Sequence, residues 1–227
     1  MSLKENLKET SREERQKLKA MPWKDRLWYI WEYYKVHMLG LVILVFVIYL
    51  IATILYNQTF EQRLYYVVMN NTTPSSANFD AINQEFKDLM GYGKKDTVTG
   101  DGSVYLNFGE TASEMDYAYM AKVSALVASQ ELDMLITDES TFQHYAESDA
   151  FMNLEEALPE DLWEQLQDQI FYTADGSGQE FPCGIEISNT RFPEDAGVSI
   201  SPCYLGIISN TNHFDTVISW IRFILED

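Results

Sequence analysis

The pattern of apolar and polar positions begins with one long uncharged run. Between Met38 and Phe60 no residue carries a charge at neutral pH, and positions 39–55 are almost wholly apolar. A helix over residues 38–56 would rise about 1.5 Å per residue and span roughly 28 Å, the thickness of a bilayer's hydrocarbon core. The run therefore predicts one transmembrane helix. A buried core helix is disfavoured by the aromatic residues on both flanks, and a cleaved signal peptide by the long charged region before it.

Beyond residue 63, apolar runs of strand length alternate with stretches of helical spacing. The predicted strands cover 64–69, 104–108, 132–137, 184–188 and 204–208, and the predicted helices cover 79–90, 114–129, 159–171 and 214–225. Strands that alternate with helices are typical of a parallel sheet covered by helices. We expect an α/β fold with a mixed, mostly parallel sheet and helices on both faces.

These elements divide the chain into four parts. Residues 1–37 form a basic tail and a juxtamembrane helix, 38–56 the transmembrane helix, 57–63 a linker and 64–227 the α/β domain. Pro22 is suited to the start of the juxtamembrane helix, which continues to Lys35 and is rich in Trp and Tyr. We expect this helix to lie at the level of the lipid head groups, or alternatively to contact a partner helix.

The charge is segregated along the chain, although the net charge of the whole is −19. Residues 1–37 hold nine Lys and Arg against six Asp and Glu, whereas residues 38–227 hold seven against 29. Because basic segments stay in the cytoplasm, the N-terminus is predicted to be cytoplasmic and the acidic domain extracellular, at the cell membrane. The lipid bilayer is thus a partner through residues 38–56. An acidic domain repels phosphates, which argues against nucleic acid as a partner.

No catalytic or metal-binding motif is present. The three histidines, His37, His144 and His213, are too scattered for a zinc site, and the sequence has no nucleophile elbow or phosphate-binding loop. We therefore predict no enzyme, no metal and no cofactor. Cys183 and Cys203 leave two alternatives open, a disulfide outside the cytoplasm or two separate buried thiols.

Several segments resemble known proteins. Residues 122–146 with 151–154, then 184–188, 196–197 and 204–224, resemble extracellular solute-binding proteins: a helix ending in small residues, a strand opening with an acidic residue, then a small helix. Residues 21–35 are similar to uncharacterised single-span membrane proteins of Gram-positive bacteria, mostly clostridial. The first resemblance implies a solute-binding-like fold. The room between residues 158 and 204 is too small for the second lobe that such proteins close over a ligand.

A one-lobed domain of this kind still offers the ends of its strands for binding. In open α/β sheets the ligand crevice lies beyond the carboxyl ends of the strands. The polar residues expected there, which form the predicted rim, are Asn71, Thr72, Glu110, Asp138, Ser140 and Thr141. Loop and helix-capping roles are the alternative for each of them.

Three functions remain open. The first is a membrane-anchored recognition module that binds a protein or envelope partner without catalysis. The second is a small-ligand receptor subunit for a transporter, and the third an extracytoplasmic hydrolase. A concave pocket with converging polar groups at the rim would favour a ligand, whereas a flat apolar patch would favour a protein partner. A single lobe leaves one side of any ligand open to water, so we expect weak binding.

Overall fold

The computed structural model describes residues 22–73, 77–108 and 112–226. Its contacts divide the chain into two compact units, Met1–Thr59 and Phe60–Asp227. The first unit holds one long helix, and the second holds the α/β domain.

The first unit is built on helix α1, Trp23–Asn57, which runs without interruption for 35 residues. The stretch Lys35–Asn57 is the one described helical segment that is long and apolar enough to cross a membrane. Side chains such as Leu41, Phe46 and Ile51 are more than half exposed, as lipid-facing residues would be. The predicted juxtamembrane helix is thus no separate element, because it continues into the apolar stretch. At about 1.5 Å per residue, α1 is ~52 Å long and exceeds the hydrocarbon thickness.

The second unit is a six-stranded sheet with helices. Its strands are β1 Glu61–Met69, β2 Asp96–Val104, β3 Met134–Thr137, β4 Ile170–Ala174, β5 Glu180–Glu186 and β6 Tyr204–Ile207. Its helices are α2 Asp80–Met90, α3 Glu114–Ala128, α4 Glu139–Ala146, α5 Leu154–Ala157, α6 Glu160–Leu166, α7 Arg191–Asp195 and α8 Phe214–Leu225. The linker is shorter than predicted, because β1 already begins at Glu61.

The sheet is mixed and not mostly parallel. The strand order is β2-β1-β3-β6-β5-β4, in which β1 runs parallel to β2 and β3 while the pairs β3–β6, β6–β5 and β5–β4 are antiparallel. A parallel pair needs a crossover connection, and α2 and α3 supply the two crossovers in the first half of the domain. In the second half β4 and β5 form a hairpin, so this half becomes antiparallel.

Both faces of the sheet are buried under helices. On β1, Tyr66 and Val68 point into one core layer, together with α2, α6 and α8. The alternate residues Val67 and Met69 point into the other layer, which α3 and α4 cover. This arrangement explains why β1 reads as a continuous apolar run, since alternate side chains enter different cores.

Strand β2 lies earlier in the chain than predicted. The sequence placed the second strand at 104–108 after a turn at Asp101 and Gly102, but the structure has β2 end at Val104, with both turn residues inside it. As an edge strand β2 is polar, so an apolar pattern does not reveal it. Gly100 is required by packing, because a Cβ there would lie 2.6 Å from the ring of Tyr66.

Strand β4 was missed, because residues 159–171 were predicted to form one helix. Helix α6 ends at Leu166, a 3-10 turn follows over Gln167–Gln169, and β4 then pairs with β5. In the connecting turn, Oδ1 of Asp175 accepts hydrogen bonds from the backbone N–H groups of Ser177 and Gln179. The sequence Asp-Gly-Ser-Gly at 175–178 is typical of a hairpin turn. It was not recognised as one, because the helix predicted over 159–171 left no strand before the turn.

The two cysteines are free, buried thiols in this structure. Cys183 packs in the layer with α3 and α4, whereas Cys203 packs in the opposite layer. The backbone N–H of Ile187 donates to the carbonyl of Cys203, so the two thiols also lie about four residues, or ~13 Å, apart along the strands. Disulfide formation needs Cα atoms within about 7 Å. Of the two alternatives, the structure therefore has the pair of separate thiols.

Candidate functional site

A cleft of about 680 Å³ lies where β1, β2 and β3 end. Four segments line it: Asn70 and Thr72 after β1, residues 105–108 after β2, one side of α4 from its cap Asp138 to Glu147, and residues 199–201. The carboxyl ends of these parallel strands meet at one edge of the sheet, which is the position predicted for the rim. Most of the lining side chains are polar.

Asn70 connects three of the segments. Its Nδ2 donates to Oδ2 of Asp138 at 2.7 Å and to Oγ1 of Thr141 at 2.8 Å. Its Oδ1 accepts from the backbone N–H of Leu106 at 2.7 Å. The backbone of Asn70 has φ of 58°, a left-handed conformation that Asn tolerates better than most residues. The side chain thereby fixes the ends of β1 and β2 against the start of α4.

Asp138 caps the N-terminus of α4, and its oxygens are fully used. Oδ1 accepts from Oγ of Ser140 at 2.6 Å and from the backbone N–H of Thr141 at 3.1 Å. Oδ2 accepts from Asn70 and from the hydroxyls of Thr141 and Thr137. Partial burial acts to raise the pKa of Asp138, but these hydrogen bonds outweigh it and lower the pKa. The group is therefore a fixed negative charge and a poor general base.

Asn71 and Thr72 hold the segment 199–201 against the end of β1. Asn71 is buried, and its Oδ1 accepts from the backbone N–H of Ser199 at 2.8 Å. The hydroxyl of Thr72 donates to the carbonyl oxygen of Ser199 at 2.8 Å. Like Asn70, these side chains build a wall of the cleft through hydrogen bonds within the protein.

The predicted rim residues take different places. Thr72, Asp138 and Ser140 line the cleft, whereas Asn71 and Thr141 are buried in its walls. Glu110 lies outside the described residues. Three of the six predicted residues thus line the cleft. Asn71 and Thr141 instead hold other lining residues in place by hydrogen bonds.

Several residues that line the cleft are not among the predicted rim residues. Tyr105 is 54% exposed, and the ring of Phe108 packs against that of His144 with centroids 4.0 Å apart and the planes tilted by 30°. Tyr105 and Phe108 were not predicted to line the site, because the sequence pattern predicts a strand over residues 104–108 whereas β2 ends at Val104. On α4, Ser140, Gln143, His144 and Glu147 lie on one side, since their spacing brings them to the same helix face. That spacing was a usable signal once the helix was known.

The charge of the cleft is one-sided. Its described lining holds two carboxylates, Asp138 and Glu147, and neither Lys nor Arg. The carboxylate of Glu147 is exposed and makes no hydrogen bond with any other described residue. Within 22–73, 77–108 and 112–226, no group of His, Cys, Asp and Glu is arranged to hold a metal ion.

A second polar cluster lies at the opposite edge of the sheet. Asp133, which precedes β3 and is fully buried, accepts from the backbone N–H of Tyr65 at 2.8 Å and from the hydroxyl of Thr211. Its Oδ1 also lies 3.0 Å from Nδ1 of His213, the residue before α8. An Asp–His pair occurs in hydrolases, but here the neighbouring hydroxyl bonds the carboxylate and not the imidazole. The cluster ties the start of α8 to β1 and β3.

No protein-family model, curated protein or solved structure matches the chain. The likeness of residues 122–146 to solute-binding proteins is therefore untested by any matched protein and stays a prediction. What the cleft can bind follows from its shape, its preformed walls and the side chains that line it.

Proposed function

We propose that the protein is a membrane-anchored, extracytoplasmic recognition module that binds a polar ligand in the cleft, without catalysis. One observation carries this proposal: a concave site of about 680 Å³ in which polar groups from four segments converge. Ligand sites in proteins usually measure about 300 to 1,000 Å³. The occupant is a small molecule or the polar part of an envelope component, as in a one-lobed solute-binding protein.

The walls of the cleft support binding over catalysis. Asn70, Asn71 and Thr72 fix its segments by hydrogen bonds, so little ordering is needed when a ligand enters. The oxygens of Asp138 are occupied by donors from the protein and cannot take up a proton readily. A single lobe covers a ligand from one side, so we expect dissociation constants in the micromolar range or weaker.

The ligand-binding proposal is tested by a thermal-shift screen of the full-length protein in detergent. Sugars, amino acids, peptides, polyamines and divalent metals are the probes. A ligand should raise the melting temperature, and the rise should be lost in Tyr105→Ala. Tyr172→Ala is the matched control, since Tyr172 on β4 is equally exposed at 53% but lies outside the cleft. The proposal fails if no probe binds, or if both variants respond like the wild type.

The location of the domain rests on the anchor. Helix α1 contains the apolar stretch Lys35–Asn57, nine basic residues lie within residues 1–37, and Arg63 is the only basic residue close behind. Protease added to intact protoplasts should remove the chain beyond about Arg63 and spare the N-terminal tail. Digestion of the tail with a protected domain would show the opposite orientation.

An exposed apolar helix favours protein binding as a second candidate function. On α3, Met115 and Tyr117 are 62% and 60% exposed, and Val123 is the one apolar residue that is fully buried. A photo-crosslinking residue at position 117 should capture a membrane or envelope protein in cells, whereas one at position 172 should not. Equal labelling at both positions would remove this candidate.

A further inference from the structure

We infer that the ligand of the cleft carries a positive charge on an amine or quaternary ammonium group. This inference rests on the proposed ligand-binding function and specifies its chemistry. The cleft is lined by the carboxylates of Asp138 and Glu147, which cap the two ends of α4, and has neither Lys nor Arg in its described lining. An anionic ligand would meet no positive partner there, whereas a cation would meet two negative charges.

The two carboxylates have different roles. The oxygens of Asp138 are filled by donors from Asn70, Ser140 and neighbouring groups, so it acts on a ligand through its charge and not by direct contact. Glu147, three residues after His144 on the same side of α4, keeps both oxygens free of other described residues. It is the group that can accept hydrogen bonds from an ammonium.

The aromatic rings of the cleft suit the same ligand. Tyr105 presents an exposed ring to the cleft, and the rings of Phe108 and His144, whose centroids lie 4.0 Å apart, line the same cleft. A cation within about 6 Å of a ring face is attracted by the electrons of the ring. Aromatic rings and a carboxylate in one cleft suit an alkylammonium ligand. Its charged nitrogen would contact the carboxylate of Glu147, and its methylene groups would pack against the rings.

None of the seven basic residues of the domain lines the cleft. Arg63 is near the start of β1, Lys94 and Lys95 directly precede β2, and Lys87 in the last turn of α2 acts on the carboxylate of Asp96. This basic group occupies the sheet edge where the strands begin. The remaining three basic residues are paired with carboxylates, as in Lys122–Asp101. The cleft therefore has no basic side chain in its described lining to repel a cation.

The test compares three probes of equal length: 1,5-diaminopentane, 1,5-pentanediol and glutarate. Binding is measured by calorimetry on the full-length protein in nanodiscs of uncharged phosphatidylcholine, with spermidine as a longer cation. We expect the diamine to bind at least tenfold more tightly than the diol, and glutarate not to bind. Diamine affinity should fall as NaCl rises from about 20 to about 300 mM, because salt screens exposed charges.

Glu147→Gln removes the free carboxylate at constant size. It should weaken diamine binding at least fivefold and leave diol binding unchanged, whereas Glu155→Gln, an exposed change outside the cleft, should alter neither. If the diol or a sugar binds as tightly as the diamine and Tyr105→Ala abolishes that binding, the inference of a cation is wrong while the proposed function holds. If no probe of any charge binds, the proposed function itself fails.

Discussion

The side chains of Asn70 and Asp138 meet across 68 residues of sequence, with Nδ2 of Asn70 donating to Oδ2 of Asp138 at 2.7 Å. The contact joins the end of β1 to the cap of α4. The side chain of Asn70 also forms hydrogen bonds with Thr141 and Leu106, so truncating it breaks three hydrogen bonds at once. The pair is the centre of the network that shapes the cleft.

Asn70→Ala should lower the free energy of unfolding by about 2–4 kcal/mol. The change leaves partly buried partners unsatisfied and forces alanine into the left-handed conformation. Urea unfolding in detergent, followed by near-ultraviolet circular dichroism, measures the loss. Asn70→Gly should recover about 1 kcal/mol, since glycine accepts this backbone conformation freely. Asn107→Ala, an exposed change in the same cleft, should stay within about 0.5 kcal/mol of wild type, and an equal loss there would contradict the role of Asn70.

The stability supplied by Asp138 should depend on pH. Hydrogen bonds hold its folded-state pKa below the ordinary value despite burial, so the carboxylate stabilises the fold above about pH 4. That contribution is lost as pH falls through the lower folded-state pKa. At pH 7, Asp138→Asn should therefore be less stable than wild type by about 1–3 kcal/mol. The gap should narrow below about pH 4, and a gap that stays constant from neutral to acidic pH would show that the charge is not the cause.

Two tyrosines, Tyr66 and Tyr145, should respond differently to loss of their hydroxyls. The Tyr66 hydroxyl donates to Oδ1 of buried Asn83 at 2.8 Å, so Tyr66→Phe leaves an unpaired acceptor and should cost about 1–3 kcal/mol. The Tyr145 hydroxyl is buried without a hydrogen-bond partner among the described residues. Tyr145→Phe should be neutral or stabilise the protein by up to about 1 kcal/mol. Equal costs in urea unfolding would contradict this assignment.

Cys183 and Cys203 should be unreactive in the folded protein. Burial raises the pKa of each thiol to about 12, so little thiolate is present at neutral pH. Maleimide should label neither thiol in the native state and both after denaturation without reductant, as counted by mass spectrometry. Denatured protein that needs reduction before it reacts would reveal a disulfide and contradict the structure.

The sequence pattern predicted the elements whose apolar side chains follow the regular spacing of a strand or a helix. Strands β1 and β3 are apolar runs because both their faces are covered, and α8 shows its inward face at helical spacing with the predicted bounds. The sequence pattern did not predict β2 and β4 correctly, because both lie at the edges of the sheet. At an edge one side of the backbone has no strand partner, and polar side chains are tolerated. The sheet is mixed because β6 runs antiparallel to both β3 and β5, and the hairpin of β4 with β5 adds a third antiparallel pair.

The site was predictable in position but not in detail. The rule that ligands bind beyond the carboxyl ends of strands pointed to Asp138 and Ser140, which line the cleft. It could not show that Asn71 turns inward to hold Ser199, because that contact joins residues 128 positions apart. Tyr105 was not predicted to line the site, because the sequence pattern placed the end of the second strand at Phe108 instead of Val104. An error of a few residues in a strand thus removed an aromatic wall from the predicted site.

Strand β1 has a mechanical consequence. Helix α1 precedes the start of β1 in the chain, and the cleft lies beyond the other end of β1, about nine residues or ~30 Å away. Any tension between the membrane and a tethered ligand would therefore run lengthwise through this strand. Its hydrogen bonds to β2 and β3 lie across that direction, so they would be sheared together instead of opening one after another. Strand β1 would thus transmit a pull from the cleft beyond its C-terminal end to α1, which precedes its N-terminal end.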